Sequence, residues 1–251
     1  MKVIVVANQK GGIGKTTTAT AVASVLSSRG YSTLLIDADQ QGNSTDTYRA
    51  EIEGVATLYD VLLGDHIPLN AAVQHTECGD IVASDPLLRE GDARLSSDAE
   101  GEYRMVNAIE NLKGYDYVII DTAPAVNMIL RNCLIAGNEV VIPVTADRYG
   151  LQGLAQLTST INAIQKRQNK ELKIAGLLLV KFNSRTNLSK EVKDSLTDIA
   201  DSMNTKLFET TIRESTKAKE AQALRTTLVK YAPNSTTAED YSAFVDELIG
   251  G

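Results

Sequence analysis

Hydrophobic positions along this chain follow two alternating patterns. Residues 3–7 form an unbroken apolar run dominated by β-branched side chains, as expected of a strand buried on both faces. Over residues 15–29 the apolar positions recur at helical spacing, and Gly30 supplies a helix-ending residue. Further strands are predicted over 33–37, 117–120, 140–144, 174–180 and 207–212. Helical patterns fall between them, over 58–63, 103–112, 153–167, 188–203 and 239–249. Strands alternating with helices predict an α/β fold, a single doubly wound, mostly parallel sheet with helices on both faces. Ligands of such sheets gather at the carboxyl ends of the strands. Residues 84–101 are polar and acidic and suit a surface loop with a short helix. The chain has no internal repeat, low-complexity tract or linker, so 1–251 reads as one domain.

Composition narrows the function. The 251 residues carry a net charge of −7 and a pI near 5.0, which excludes a molecule-wide basic footprint. A nucleic-acid partner would need a local basic patch working against the global field. Cys78 and Cys133 are too few for a disulfide framework and fit a reducing cytosol. The N-terminal apolar run is too short for a secretion signal. No stretch approaches the ~18 apolar residues of a transmembrane helix. A cytoplasmic protein is expected.

The sharpest motif is Gln9-Lys10-Gly11-Gly12-Ile13-Gly14-Lys15-Thr16-Thr17, set between a strand and a helix. Glycines let the backbone turn tightly and aim successive N–H groups at phosphate oxygens. The following helix adds its positive dipole end. Lys15 can reach β and γ phosphates, and the Thr16 hydroxyl can ligate Mg²⁺. Gln9 stands where the usual phosphate loop has Gly, while Lys10 is added, giving the deviant Walker A pattern. The loop resembles that of the ParA/MinD group of P-loop ATPases. The resemblance implies that Lys10 reaches across an ATP-bound homodimer to the partner's nucleotide, stabilising phosphoryl charge as an arginine finger does.

Two carboxylate segments fit this frame. Asp37-Ala38-Asp39-Gln40-Gln41-Gly42-Asn43 ends the second strand and resembles the ParA switch I segment, with Gln40 replacing the usual Pro. The resemblance implies that Asp39 positions the attacking water and Asp37 supports the metal shell; two capped strand-end aspartates are the plain alternative. The apolar strand ending in Asp121-Thr122-Ala123-Pro124 is a Walker B pattern, in which Asp121 would hold Mg²⁺. Ala123 replaces the first Pro of the family's D-x-P-P. ATP and Mg²⁺ are thus the expected ligands, with Lys10, Lys15 and Asp39 as the catalytic set. Slow hydrolysis is expected.

Further along, Lys181-Phe182-Asn183-Ser184-Arg185-Thr186-Asn187-Leu188 resembles the ParA segment ending in a D-x-R-T-N-L-type turn, with Asn183 where Asp is common. Phe182 and Asn183 would lie near the adenine; a turn-capping role suits Asn183 equally. The stretch from Ile212 to Ala221 resembles I-P-R-N-x-R-x-x-E-A, lacking its Pro and carrying Glu214 where an Arg is usual. By resemblance Arg185, Arg213, Lys217 and Lys219 would bind DNA without sequence preference. Residues 181–232 hold ten Lys+Arg and seven Asp+Glu, a balance of +3 that leaves −10 for the rest. That asymmetry fits a basic face on an acidic body, with salt-sensitive phosphate contacts. An ordinary mixed-charge face is the alternative.

Related classes fit less well. MinD-type proteins end in a basic membrane helix, whereas residues 236–251 carry Glu239, Asp240, Asp246 and Glu247 and no Lys or Arg, so no membrane partner is expected. Relatives that position a protein assembly share the same core. Nitrogenase-iron-protein relatives need cluster-ligating cysteines, but Cys133 lies in an apolar helical stretch and neither cysteine has a small-residue loop. ATP-dependent amide or biotin-pathway ligases share the fold, but no substrate motif for them is visible. The expectation is a ParA-like switch: an ATP-dependent homodimer that binds non-specific DNA, associates with the nucleoid and segregates plasmid or chromosomal DNA. A ParB-like centromere-binding partner would stimulate its hydrolysis. An N-terminal helix-turn-helix domain is not expected, since the loop begins at residue 9.

Overall fold

A computed structural model describes residues 1–64, 67–146, 152–182 and 187–250. Its strands are β1 (Lys2–Val6), β2 (Thr33–Ala38), β3 (Val73–Thr76), β4 (Gly79–Val82), β5 (Tyr117–Thr122), β6 (Glu139–Thr145), β7 (Lys173–Phe182) and β8 (Ile212–Arg213). They form one sheet in the order β3-β4-β2-β5-β1-β6-β7-β8, parallel throughout except for β3 against β4. The helices are α1 (Lys15–Ser28), α2 (Asn43–Tyr48), α3 (Leu58–Leu62), α4 (Gly91–Ser97), α5 (Arg104–Glu110), α6 (Met128–Ala136), α7 (Gln152–Arg167), α8 (Asn187–Ser202), α9 (Thr216–Ala223), α10 (Leu228–Tyr231) and α11 (Thr236–Ile249). The doubly wound, mostly parallel sheet expected from the sequence is therefore present.

The strands bury both faces, and their side chains alternate between two hydrophobic clusters. In β1, Val3 and Val5 join the cluster under α3, α5, α6, α7 and α8, while Ile4 and Val6 join the one under α1, α10 and α11. Each fully buried Ile or Leu contributes ~1.5–3 kcal/mol relative to exposure. The second cluster is closed by Phe208 and Phe244, stacked edge to face at 4.9 Å. α1 is buried nearly all round because α11 covers its outer side, with the Thr18 and Tyr241 hydroxyls 3.1 Å apart. That burial explains its run of small Ala and Thr side chains.

One proline sits inside a central strand. In β6, Val141 accepts from Ala7 N and the Pro143 carbonyl accepts from Asn8 Nδ2 at 2.7 Å, so both residues face β1. A strand residue's N–H and C=O share a side. The donor that Pro143 lacks thus falls where β1 has already turned into the phosphate loop, and no ladder bond is lost.

Several elements depart from the sequence pattern. The strand expected over 207–212 shrinks to Ile212–Arg213, with Leu207 making an isolated bridge to Leu177. Between them, the Glu209 and Thr210 N–H groups donate to the Glu247 carboxylate of α11 at 3.0 and 3.1 Å instead of to β7. The 84–101 stretch contains α4, as its composition suited.

Candidate functional site

The three central strands deliver the motifs to one place. β5 pairs with both β1 and β2, and the register sets Val6 beside Asp121 and Asp37 beside Asp121. The chain leaving β1 forms the glycine loop, in which Gly12 (φ 70°) and Gly14 (φ 98°) adopt left-handed backbone that a Cβ would crowd. Gly14 is also the N-cap of α1. The Asn8 side chain braces the loop: its Oδ1 accepts from Lys10 N at 3.1 Å while its Nδ2 holds Pro143.

Lys15 is buried, and its ammonium donates to the Lys10 carbonyl at 3.1 Å. Burial pulls its pKa down, opposed by the charges of Asp121 and Asp39. Lys10 donates to Thr145 Oγ1 at 3.3 Å, at the end of β6. Asp39 is buried at the cavity wall and its Oδ1 accepts from Gln41 N at 3.0 Å.

Asp37 and Asp121 are both fully buried. Burial pushes both carboxyls above the usual range, and the neighbouring Asp121 charge pushes Asp37 further. Their hydrogen bonds separate their roles. Asp37 Oδ2 accepts from Thr45 N at 2.7 Å and Thr45 Oγ1 at 2.8 Å, and its Oδ1 accepts from Asp39 N at 3.1 Å. Both oxygens thus hold the 39–45 segment in place.

Asp121 Oδ2 accepts from Ser44 Oγ at 2.8 Å, and the nearby Thr16 hydroxyl helps to hold the carboxyl's pKa down. Its Oδ1 is buried without a partner. An orphaned carboxylate oxygen beside the Thr16 hydroxyl fits a cation. Among the described residues no group of three or more His, Cys, Asp or Glu could hold a metal. The orphaned Asp121 oxygen suits Mg²⁺, which takes one or two carboxylates and completes its shell with water and phosphate oxygens.

The loop and Asp39 open onto a cavity of about 370 Å³, within the range of small-ligand sites. Gly11 to Thr17 line one side; Val180, Lys181, Ser215, Lys219 and Leu228 line the other. Lys181 was not singled out from the sequence. Its backbone is left-handed (φ 53°) at a register shift in β7, and its ammonium donates to the Gly12 carbonyl at 2.6 Å. The same shift turns Phe182 onto the α7–α8 cluster, so the expected adenine neighbour packs away from the cavity. Asn183 lies outside the described residues, as does Arg185.

Two of the remaining basic positions, Arg213 and Lys217, are partnered. Arg213 Nη2 lies 2.6 Å from Asp240 Oδ1, with Nε and the backbone N bonded to the same carboxylate. Lys217 pairs with Glu220 at 2.8 Å and lies over the Tyr231 ring. Of the described three, Arg213 and Lys219 line the cavity. Cys133 is buried, its thiol pushed up to about 12 by burial, and Cys78 is free and half-buried. Burial makes Cys133 an unreactive position.

A glycine loop on a helix N-terminus, with two lysines and a buried strand-end aspartate, defines a P-loop nucleotide-binding protein of the deviant Walker A class. A protein-family model described as an AAA domain matches residues 1–174. The chromosome partitioning protein ParA of Myxococcus xanthus is 32% identical, aligned over 99% of this chain and 88% of its own. The sporulation initiation inhibitor protein Soj of Bacillus subtilis is 34% identical over 98% of each chain. A crystal structure of cobyrinic acid a,c-diamide synthase from Mycobacterium smegmatis, with bound ATP analog and magnesium, superposes with a TM-score of 0.85. It is 30% identical and covers 99% of this chain and 94% of its own. The chain belongs to the ParA family of P-loop partitioning ATPases.

Proposed function

We propose that this protein is an ATP-hydrolysing dimerisation switch that rides on non-specific DNA and moves a DNA cargo. The observation that carries the reading is the loop itself. Lys15 is buried in cis, and a second lysine, Lys10, stands at the start of the loop with its ammonium donating to Thr145. One lysine suffices to hold a nucleotide; a second beside it suits a site completed by another subunit.

The chain's own groups divide the work. Loop N–H groups and Lys15 bind and orient the triphosphate, and the α1 dipole favours its charge. Asp39, anchored by Gln41 N, would orient the attacking water. Lys10 leaves Thr145 to meet the partner's nucleotide, compensating charge as phosphoryl transfer requires. Magnesium, held by Thr16 and Asp121, would neutralise phosphate charge. Asp37 keeps the 39–45 segment shaped. Binding to DNA would run through Lys217, Lys219 and Arg185, with Arg213 kept by Asp240 as a structural pin. The Lys217–Glu220 pair is exposed and weak enough for a phosphate to displace Glu220. A ParB-like, centromere-bound protein would act on the assembled dimer to stimulate hydrolysis.

The test is binding to random duplex DNA without nucleotide, with ADP and with ATP, at two salt concentrations. Binding that requires ATP, weakens with salt and fails in Lys217→Glu supports the reading. Hydrolysis without DNA binding in any state would instead favour a switch that positions a protein assembly.

A further inference from the structure

Two arginines outside the nucleotide cavity share a strained backbone conformation and meet at one junction. Arg49, which ends α2, has φ 54°, and Arg225, just beyond α9, has φ 51°. The left-handed region crowds any Cβ, so glycine is the ordinary occupant after a helix. Here both positions carry arginine, and each side chain reaches the other's helix end. Arg49 donates from Nε to the Arg225 carbonyl at 3.2 Å and from Nη2 to the Leu224 carbonyl at 3.0 Å. Arg225 donates from Nε to the Asp46 carbonyl at 3.2 Å and lies 2.8 Å from Asp46 Oδ1. Each cation thus sits at the carboxyl end of the other's helix, where the dipole favours it.

The junction spans the end of the nucleotide cavity. Asn43 and Thr47 of α2 line it from one side, Gln222 and Thr226 from the other. α2 also begins with the residues that hold the site's carboxylates, Ser44 on Asp121 and Thr45 on Asp37. α9 carries Lys217 and Lys219. An isolated exposed pair such as Arg225–Asp46 would hold little; four contacts closing on two helix ends form a network.

We propose that Arg49 and Arg225 form a reciprocal clasp that couples α2 to α9. A nucleotide that shifts α2 through Ser44 and Thr45 then also repositions α9. Neither arginine lines the nucleotide cavity, so both are positioning residues. The inference rests on the nucleotide reading above and does not require DNA binding.

The test uses Arg49→Gly, Arg225→Gly and the double variant in the full chain. Glycine removes the clasp while relieving the left-handed backbone, so the fold is kept. Hydrogen exchange across residues 216–226 is measured with and without ATP and magnesium, alongside nucleotide affinity. In the unaltered protein, nucleotide changes protection of α9 by about tenfold. In each variant that change falls to within about twofold, affinity stays within about threefold, and the double variant is no worse than either single one. Full nucleotide-dependent protection in the variants overturns the clasp, as does an α9 that ignores bound nucleotide in the unaltered protein. Failure of the unaltered protein to bind ATP removes the nucleotide reading itself, and the affinity measurement alone reveals it.

Discussion

The Lys181 ammonium holds the carbonyl of Gly12 at 2.6 Å, tying the end of β7 to the phosphate loop across 169 residues of sequence. Gly12 has φ 70° and Lys181 φ 53°, so two unusual backbone positions are locked together. Lys181→Met should weaken ATP binding about threefold to tenfold, as loss of one solvent-exposed hydrogen bond does, and leave adenosine binding unmoved. Lys181→Arg should restore part of the loss. Competition against a fluorescent nucleotide measures both; equal ATP affinity in the Met variant would reduce Lys181 to a surface lysine.

Lys10 donates to Thr145 of its own chain, whereas Lys15 donates to the Lys10 carbonyl within the loop. Lys10→Ala should therefore keep nucleotide binding and lose ATP-dependent dimerisation. Light scattering on a sizing column checks this. A variant that dimerises normally with ATP sinks the two-subunit site.

Asp39→Ala should slow hydrolysis by about a hundredfold or more and let the ATP-bound dimer accumulate. Phosphate release and dimer mass are the paired measurements. Unchanged turnover would remove Asp39 from the water-positioning role.

The pH response follows from the raised pKa of Asp121. Its carboxyl, pushed up to about 6 by burial, binds a proton more tightly folded than unfolded. The folded form therefore gains stability as pH falls from about 6 towards the ordinary 3.8, and loses it on the way back up. Asp37 extends the effect in the same direction. A cation needs the carboxylate, so magnesium affinity should rise with pH through the same window. Thermal melts at several pH values, with and without magnesium and ATP, check both signs. A magnesium affinity that ignores pH, or Asp121→Asn binding magnesium normally, would count against Asp121 as the ligand.

Gly101 packs so closely beneath α4 that an added Cβ would overlap the Leu95 carbonyl. Gly101→Ala should cost ~1–3 kcal/mol, the usual range for overpacking. Urea unfolding measures it; an unchanged midpoint would mean that the α4 turn shifts freely.

What was legible in the sequence was whatever rests on burial or on a fixed backbone demand. β1, β2 and β5 showed as apolar runs because helices cover both faces. The glycine loop showed because Gly12 and Gly14 need positive φ. β3 did not show, since Val-Gln-His-Thr has no buried face and its pairing is set by β4. α2 did not show, because Asn-Ser-Thr-Asp-Thr-Tyr has no apolar period and is held by Thr45 and Ser44 on buried aspartates. Phe182 misled because alternation along β7 breaks at Lys181. The acids of α11, noticed only as a charge unfavourable to membranes, turn out to pin it: Asp240 holds Arg213, Asp246 holds Arg29, and Glu247 caps two backbone N–H groups.

The neighbouring burial of Asp37 and Asp121 has a consequence for anyone who redesigns this protein. Two carboxyls lie side by side in register, one with an oxygen that nothing satisfies. A procedure that ranks positions by thermal gain would choose this pair first and replace it with amides or apolar side chains. The product would lose the carboxylate proposed to hold magnesium at Asp121 and the three hydrogen bonds by which Asp37 shapes the 39–45 segment. In this fold, the spot that looks most like a flaw is the one that a search for robustness must be told to leave alone.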